Sequence, residues 1–107
     1  MPADRLHGTL DALILRTLTF GPRHGYSIVS WLRERSGDEL LVEEGSLYPA
    51  LYRMERDGWI EAEWGRSDLG RKAKIYSITP KGRARLRAET AEFSRFLAVV
   101  TPILLPA

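Results

Sequence analysis

Cysteine is missing altogether from the 107 residues, which excludes disulfide frameworks and thiolate metal sites. Histidine is nearly as scarce: His7 and His24 stand alone and far apart, a spacing that forms no recognised metal-ligand pattern. His7 reads as a surface residue, and His24 as a cap or phosphate contact at the start of a helix. There is no glycine-rich phosphate loop and no pair of carboxylates in an apolar setting, so neither an enzyme nor a cofactor is expected. No apolar run approaches the ~18 residues of a membrane helix, and the N-terminus lacks a basic-then-apolar leader. The expectation is a cytoplasmic protein with no membrane partner.

What is present suits a soluble globular chain, 44% hydrophobic and 28% charged, of a length that makes one domain with a modest core. No internal repeat, linker or low-complexity stretch interrupts it. The net charge of +2 is unevenly laid out. Residues 66–87 hold eight basic side chains against the single acid Asp68, a net +7, so the remainder carries −5. A block this basic in a nearly neutral chain marks either a polyanion contact or a solvated face.

Residues 9–20, TLDALILRTLTF, place Leu10, Leu13, Ile14 and Leu18 at helical spacing. Gly21 and Pro22 end that helix. HGYSIVSWLRER follows as a second helix, with Ile28 and Leu32 one turn apart, stopped by Ser36-Gly37. DELLV is a short extended connector. A third helix is predicted from Glu44 to Asp57, with Leu47, Leu51 and Met54 as its inward stripe. Pro49 is expected in or near its first turn, where a missing N–H costs little, and Gly58 is its stop. WIEAEWG, the turn-like RSDLG and RKAKIYSIT read as a hairpin, with Tyr76 and Ile78 inward and Lys72 and Lys74 toward the tip. Thr79-Pro80 is the N-cap and first turn of a final helix. Its positions Leu86, Thr90, Phe93, Leu97, Val100 and Leu104 form a heptad seam, although Pro102 is expected to end or kink the helix before Leu104.

The fold class that follows is mainly α with a small β-hairpin (α+β). Three short helices and a basic hairpin have the order of a winged helix-turn-helix, to which a long C-terminal dimerisation helix is added. In such a domain the third helix enters the major groove of double-stranded DNA and the wing lies along the backbone. On this reading Ser46, Pro49, Ala50 and Arg53 project away from the core stripe. Ser46 suits base edges or phosphate, Pro49 and Ala50 a thymine methyl, and Arg53 phosphate or guanine. Tyr48 and Tyr52 flank the stripe, Tyr48 being either a boundary core residue or a DNA contact. Glu43 and Glu44 read as helix caps, although Glu44 could accept from a cytosine amino group. Arg71, Lys72 and Lys74 on the wing suit phosphate or minor-groove contact. Together with Tyr26 at the start of the second helix, the candidate DNA contacts are Ser46, Tyr48, Pro49, Arg53, Arg71, Lys72 and Lys74.

Four segments, GTLDALILRTL, GPRHGYSI, EEGSLYPALYRMERDGWI and RKAKIYSITPKGR, taken in order and at their spacing, resemble the PadR family of transcriptional regulators over about residues 6–100. The GTLD opening and VEEGSLYPAL look most like a compact, permease-associated subgroup common in acidobacteria. The resemblance implies a homodimeric repressor, with residues 1–79 as the winged helix-turn-helix and 80–107 as the dimerisation helix of one compact unit. It also implies contacts between the last helix and the partner's first helix. The heptad seam agrees on its own terms: a lone domain of this size has little with which to cover Phe93, Phe96, Leu97 and Val100. In multidrug-responsive members of such a family, an aromatic on that helix lines a pocket between subunits. Phe93 matches it, with Phe96 nearby. Leu10, Ile14, Phe93, Phe96, Leu97 and Val100 are therefore the candidate dimer interface or pocket for a small hydrophobic effector, and heptad aromatics usually pack as core. The competing class is a winged-helix module that binds protein and not DNA, for which the basic wing would have no use.

Overall fold

A computed structural model describes residues 4–106, with side-chain burial described from residue 9. Helix α1 runs Asp4–Leu18, α2 Gly25–Arg35 and α3 Glu44–Arg56; strands β1 (Ile60–Arg66) and β2 (Lys72–Ile78) follow, and α4 spans Pro80–Leu104. Helix α1 begins at Asp4, earlier than the 9–20 segment read from the sequence. Among its described side chains Asp11, Ile14, Leu15, Thr17 and Leu18 are buried.

Helix α2 is capped by His24, whose Nδ1 accepts from the Ser27 amide at 3.3 Å, and buries Ile28 and Leu32. The chain leaves it through Gly37 and Asp38, both at positive φ. Helix α3 buries Leu47, Ala50, Leu51 and Met54. Ala50 thus completes the i, i+3, i+4, i+7 stripe, and at 2% exposure it cannot meet a thymine methyl, contrary to expectation. Pro49 lies in the second turn of α3 and not the first. The bond lost there is the one a residue 49 amide would make to the Gly45 carbonyl. Glu43 is the N-cap residue, yet its side chain makes no capping hydrogen bond. Glu44 occupies the first turn, where its charge complements the helix dipole. Gly58, at φ +80°, turns the chain toward the hairpin.

The two strands are antiparallel, with Ala62 opposite Tyr76, Trp64 opposite Lys74 and Arg66 opposite Lys72. Because side chains alternate across a strand, all six of these residues share one face of the wing. The hairpin is also tied to the helical body from outside. Arg23, between α1 and α2, exchanges both backbone hydrogen bonds with Tyr76, at 3.0 and 2.8 Å, so the wing and the start of α2 are held side by side.

Thr79 launches α4. Its hydroxyl accepts from the Gly82 amide at 3.0 Å and donates to the Gly58 carbonyl at 2.7 Å, coupling the helix cap to the end of α3. Only Gly82, Leu86 and Glu89 of α4 are buried. Beyond them the side chains of the helix are mostly exposed, and the molecule measures 53 × 29 × 23 Å. Helix α4 passes over Pro102 and stops at Leu104, where the Leu105 amide bonds back to the Thr101 carbonyl. The helix does not end before Leu104: a single lost bond so near a helix end removes little.

The core joins α1, α2, α3 and the base of the wing, from Ile14, Leu15 and Leu18 through Ile28 and Leu32 to Leu47, Leu51, Met54, Ile60 and Tyr76, with Leu86 closing it from α4. This is a winged helix-turn-helix with an added long helix.

Candidate nucleic-acid interface

With Leu47, Ala50, Leu51 and Met54 turned inward, helical geometry makes Gly45, Pro49, Tyr52 and Arg56 the outermost positions of α3. All four are exposed. Ser46, also exposed, and Arg53 lie on one flank of this face, and Tyr48 and Glu55 on the other. The two flanks have different neighbours.

On the first flank Arg53 turns aside. Its guanidinium hydrogen-bonds the Asp11 carboxylate of α1, which is only 4% exposed. The expectation that Arg53 projects freely from α3 is corrected here, because a buried carboxylate on the neighbouring helix draws the guanidinium inward. Burial raises the Asp11 pKa above its ordinary value by more than Arg53 and, more distantly, Arg85 lower it, while Glu89 adds to the rise. Arg85 itself pairs with Glu89 one turn along α4 and lies over the Trp59 ring at 4.7 Å.

On the second flank Tyr48 lies across the start of α2. A Cβ built on Gly25 would stand 2.8 Å from the Tyr48 hydroxyl, so a larger residue at position 25 would push the Tyr48 ring aside. Tyr48 remains 46% exposed, a boundary residue with one side packed and the other wet. Burial raises the pKa of Tyr76 behind it, with Glu55 and Tyr48 adding to the shift.

Between this flank and the wing runs a groove of about 820 Å3, walled by His24, Tyr26, Tyr48, Trp64, Leu69 and Lys72 among others. Tyr26 stands out into it at 68% exposure. The wing turn is closed by its own hydrogen bonds: the Ser67 amide donates to the Arg71 carbonyl, the Gly70 amide to the Ser67 carbonyl and the Arg66 guanidinium to the Gly70 carbonyl, each at 2.8 Å. Arg71 and Lys72 are exposed at this tip, and among the described residues no acid pairs with either. Lys72 holds its ammonium 5.0 Å from the Trp64 ring centroid. Lys74 departs from the expected tip position. It lies within β2 and its ammonium reaches Glu55 of α3 at 3.4 Å, bracing the wing against the helix.

The groove therefore gathers Tyr26, Tyr48, Arg71, Lys72 and the base of Lys74, while Ser46 and Pro49 lie on the adjoining α3 face and Arg53 is turned to α1. Sequence reading passed over Trp64 and Arg56. Arg56 follows Gly45, Pro49 and Tyr52 at helical spacing, which was the available signal; a tryptophan inside a strand reads as core.

A second hollow, about 240 Å3, lies between α1 and α4 and is lined by Ala12, Leu13, Arg16, Leu86, Glu89 and Phe93 among others. Of the residues expected at a dimer or effector surface, Ile14 is fully buried within its own subunit. It cannot serve there, because its side of α1 faces α2 and α3. Leu10, Phe96 and Val100 are half-buried, and Phe93 and Leu97 are 49% and 46% exposed. The side chain of His7, expected at the surface, lies outside the described residues.

Residues 14–88, from the buried part of α1 through the wing into α4, match the family of PadR-like transcriptional regulators. The chain belongs to that family. The chain is also 32% identical over 98 residues to an uncharacterised protein of Lysinibacillus sphaericus, covering 92% of this chain and 90% of that one. Among solved structures, a transcriptional regulator from Clostridium thermocellum superposes with a TM-score of 0.81 at 28% identity, covering 92% of this chain and 95% of the other. A PadR-like transcriptional regulator from Bacillus cereus does so with a TM-score of 0.78 at 30% identity, covering 98% and 100%. As a PadR-family member the chain is a DNA-binding regulator and not an enzyme. No helix among the described residues is long and apolar enough to cross a membrane.

Proposed function

We propose that this PadR-family chain is a sequence-specific repressor that binds a palindromic operator as a homodimer. Residues 1–79 form the DNA-reading unit and 80–107 the dimerisation helix. The observation that carries the reading is the exposed face of α3 lying beside a hydrogen-bonded wing tip whose Arg71 and Lys72 pair with no acid among the described residues. In this arrangement Pro49, Tyr52 and Arg56, with Ser46 at the edge, address the major groove, and the wing addresses the backbone. Phosphate contact supplies affinity, and the α3 face supplies the choice of sequence.

The outer half of α4 supports the dimer. Phe93, Leu97, Val99, Ile103 and Leu104 are exposed, an apolar area that a second copy would cover. The hollow between α1 and α4 is small and largely apolar, which suits the partner's helix. A small hydrophobic effector competing for that place beside Phe93 would release the operator. The protein acts in the cytoplasm, where the DNA is.

Selection from a random duplex pool, followed by titration over a salt series and sedimentation of the complex, tests the proposal. An inverted repeat, two subunits per duplex and a steep fall of affinity with salt are expected. A single subunit that ignores DNA in dilute buffer would overturn it and favour a protein-binding module.

A further inference from the structure

Three tryptophans stand in this chain, and two have partners that account for them. Trp31 packs against Phe20, with ring centroids 5.3 Å apart, under the Arg35 guanidinium. Trp59 lies at the foot of α4 beneath Arg85. Trp64 differs. It sits midway along β1, 63% exposed, and its only ring contact among the described residues is the Lys72 ammonium. That ammonium stands on the neighbouring strand of the same wing face, so the indole and the cation form one unit. Arg66, opposite Lys72, shares this face, and Tyr26 and Tyr48 stand across the groove.

A large apolar ring bordered by cations and faced by two tyrosines is not arranged to be covered by protein, because three basic groups would have to lose water along with it. A DNA strand answers both halves of the surface: phosphates answer Arg66, Arg71 and Lys72, and the deoxyribose between them offers an apolar edge. The hydrogen-bonded turn and the backbone pairing of Tyr76 with Arg23 tie the wing backbone to the helical body, so binding need order little more than the Trp64 side chain.

We infer that Trp64 is a DNA-contacting residue, packing its indole against the sugars of the strand that Lys72 holds by its phosphates. This rests on the proposed function and adds a term of a different kind. Phosphate contacts release counterions and weaken with salt; a ring on a sugar releases none. Trp64 contributes an affinity that is indifferent both to sequence and to salt.

The experiment compares Trp64→Ala and Lys72→Ala with the full-length wild type on the selected operator and on a scrambled duplex, each over a salt series. Trp64→Ala is expected to weaken both duplexes by about tenfold with the slope of log affinity against log salt unchanged. Lys72→Ala is expected to flatten that slope by about 0.9 per subunit, hence about 1.8 for the dimer on its operator. Fluorine resonances of 5-fluorotryptophan-labelled wild-type protein, with Trp64 assigned through Trp64→Phe, give a readout that does not depend on the alanine variant. The Trp64 resonance shifts on adding duplex, and those of Trp31 and Trp59 stay. Unchanged affinity in Trp64→Ala, or an unmoved Trp64 resonance in wild type saturated with duplex, would overturn the inference and leave the proposed function standing. A flattened slope in Trp64→Ala would also overturn it, making the ring a mere support for Lys72. Wild type that binds no duplex overturns the proposed function instead.

Discussion

Arg53 of α3 and Asp11 of α1 form an ion pair that locks the proposed DNA-reading helix to the first helix, and its carboxylate is almost wholly out of water. The pair serves the fold before it serves DNA. Removing the guanidinium strands a buried carboxylate, whereas removing both partners does not.

Arg53→Ala should therefore destabilise the domain by about 2 kcal/mol, and Asp11→Asn combined with Arg53→Ala should recover part of that loss. Urea unfolding of the two single variants and the double variant measures it. Additive losses would show that the pair does not couple.

Asp11 also sets a pH dependence. Burial holds its folded pKa above the unfolded one, so the folded state binds the proton more tightly. Stability from this group is complete below the unfolded pKa and is lost as pH rises through the raised folded value. The groups facing Asp11 are Arg53, Arg85 and Glu89. Asp11→Asn keeps an acceptor for Arg53 and removes the titration. The stability of wild type relative to Asp11→Asn should fall as pH is raised from about 3 toward neutrality, as followed by unfolding midpoints. A difference that grows with pH would contradict the sign.

Gly82 packs its α-carbon onto the Trp59 backbone, and a Cβ there would run into the Trp59 carbonyl. A backbone atom cannot swing away as a side-chain tip can. Gly82→Ala should cost about 3 kcal/mol or more and lower the thermal midpoint markedly, despite the better helix propensity of alanine. A calorimetric midpoint within a few degrees of wild type would show that α4 can shift off the hairpin.

Leu97 lies in the exposed outer half of α4. Leu97→Asp should give single subunits with an unchanged fold and weak operator binding, since a charge would enter the proposed seam between copies. Sedimentation and circular dichroism together check it. An intact dimer would move the interface elsewhere.

Much of this was legible in the residues. The apolar stripes of α2 and α3, the stops at Gly21, Gly37 and Gly58, the Thr79-Pro80 start of α4 and the basic hairpin all follow from rules that act within a few residues of chain. Four short segments at set spacing were enough to bring the PadR family into view. The misplacements have two causes. Ala50 and Ile14 belong to apolar stripes whose period already points them inward, and the core takes both. Arg53 and Lys74 sit where periodicity leaves a long cation free to turn, and an acid remote in sequence decided it: Asp11 for Arg53, Glu55 for Lys74.

The order of helices and strands was thus determined by the sequence alone, because propensity, capping and hydrophobic period are local properties. Which polar side chains remain free for a ligand was decided only by tertiary structure. Asp11 and Glu55 are far from Arg53 and Lys74 along the chain or face another element, and each takes a cation that composition had assigned to DNA. Trp64, assigned to nothing, is left 63% exposed on the groove side of the wing.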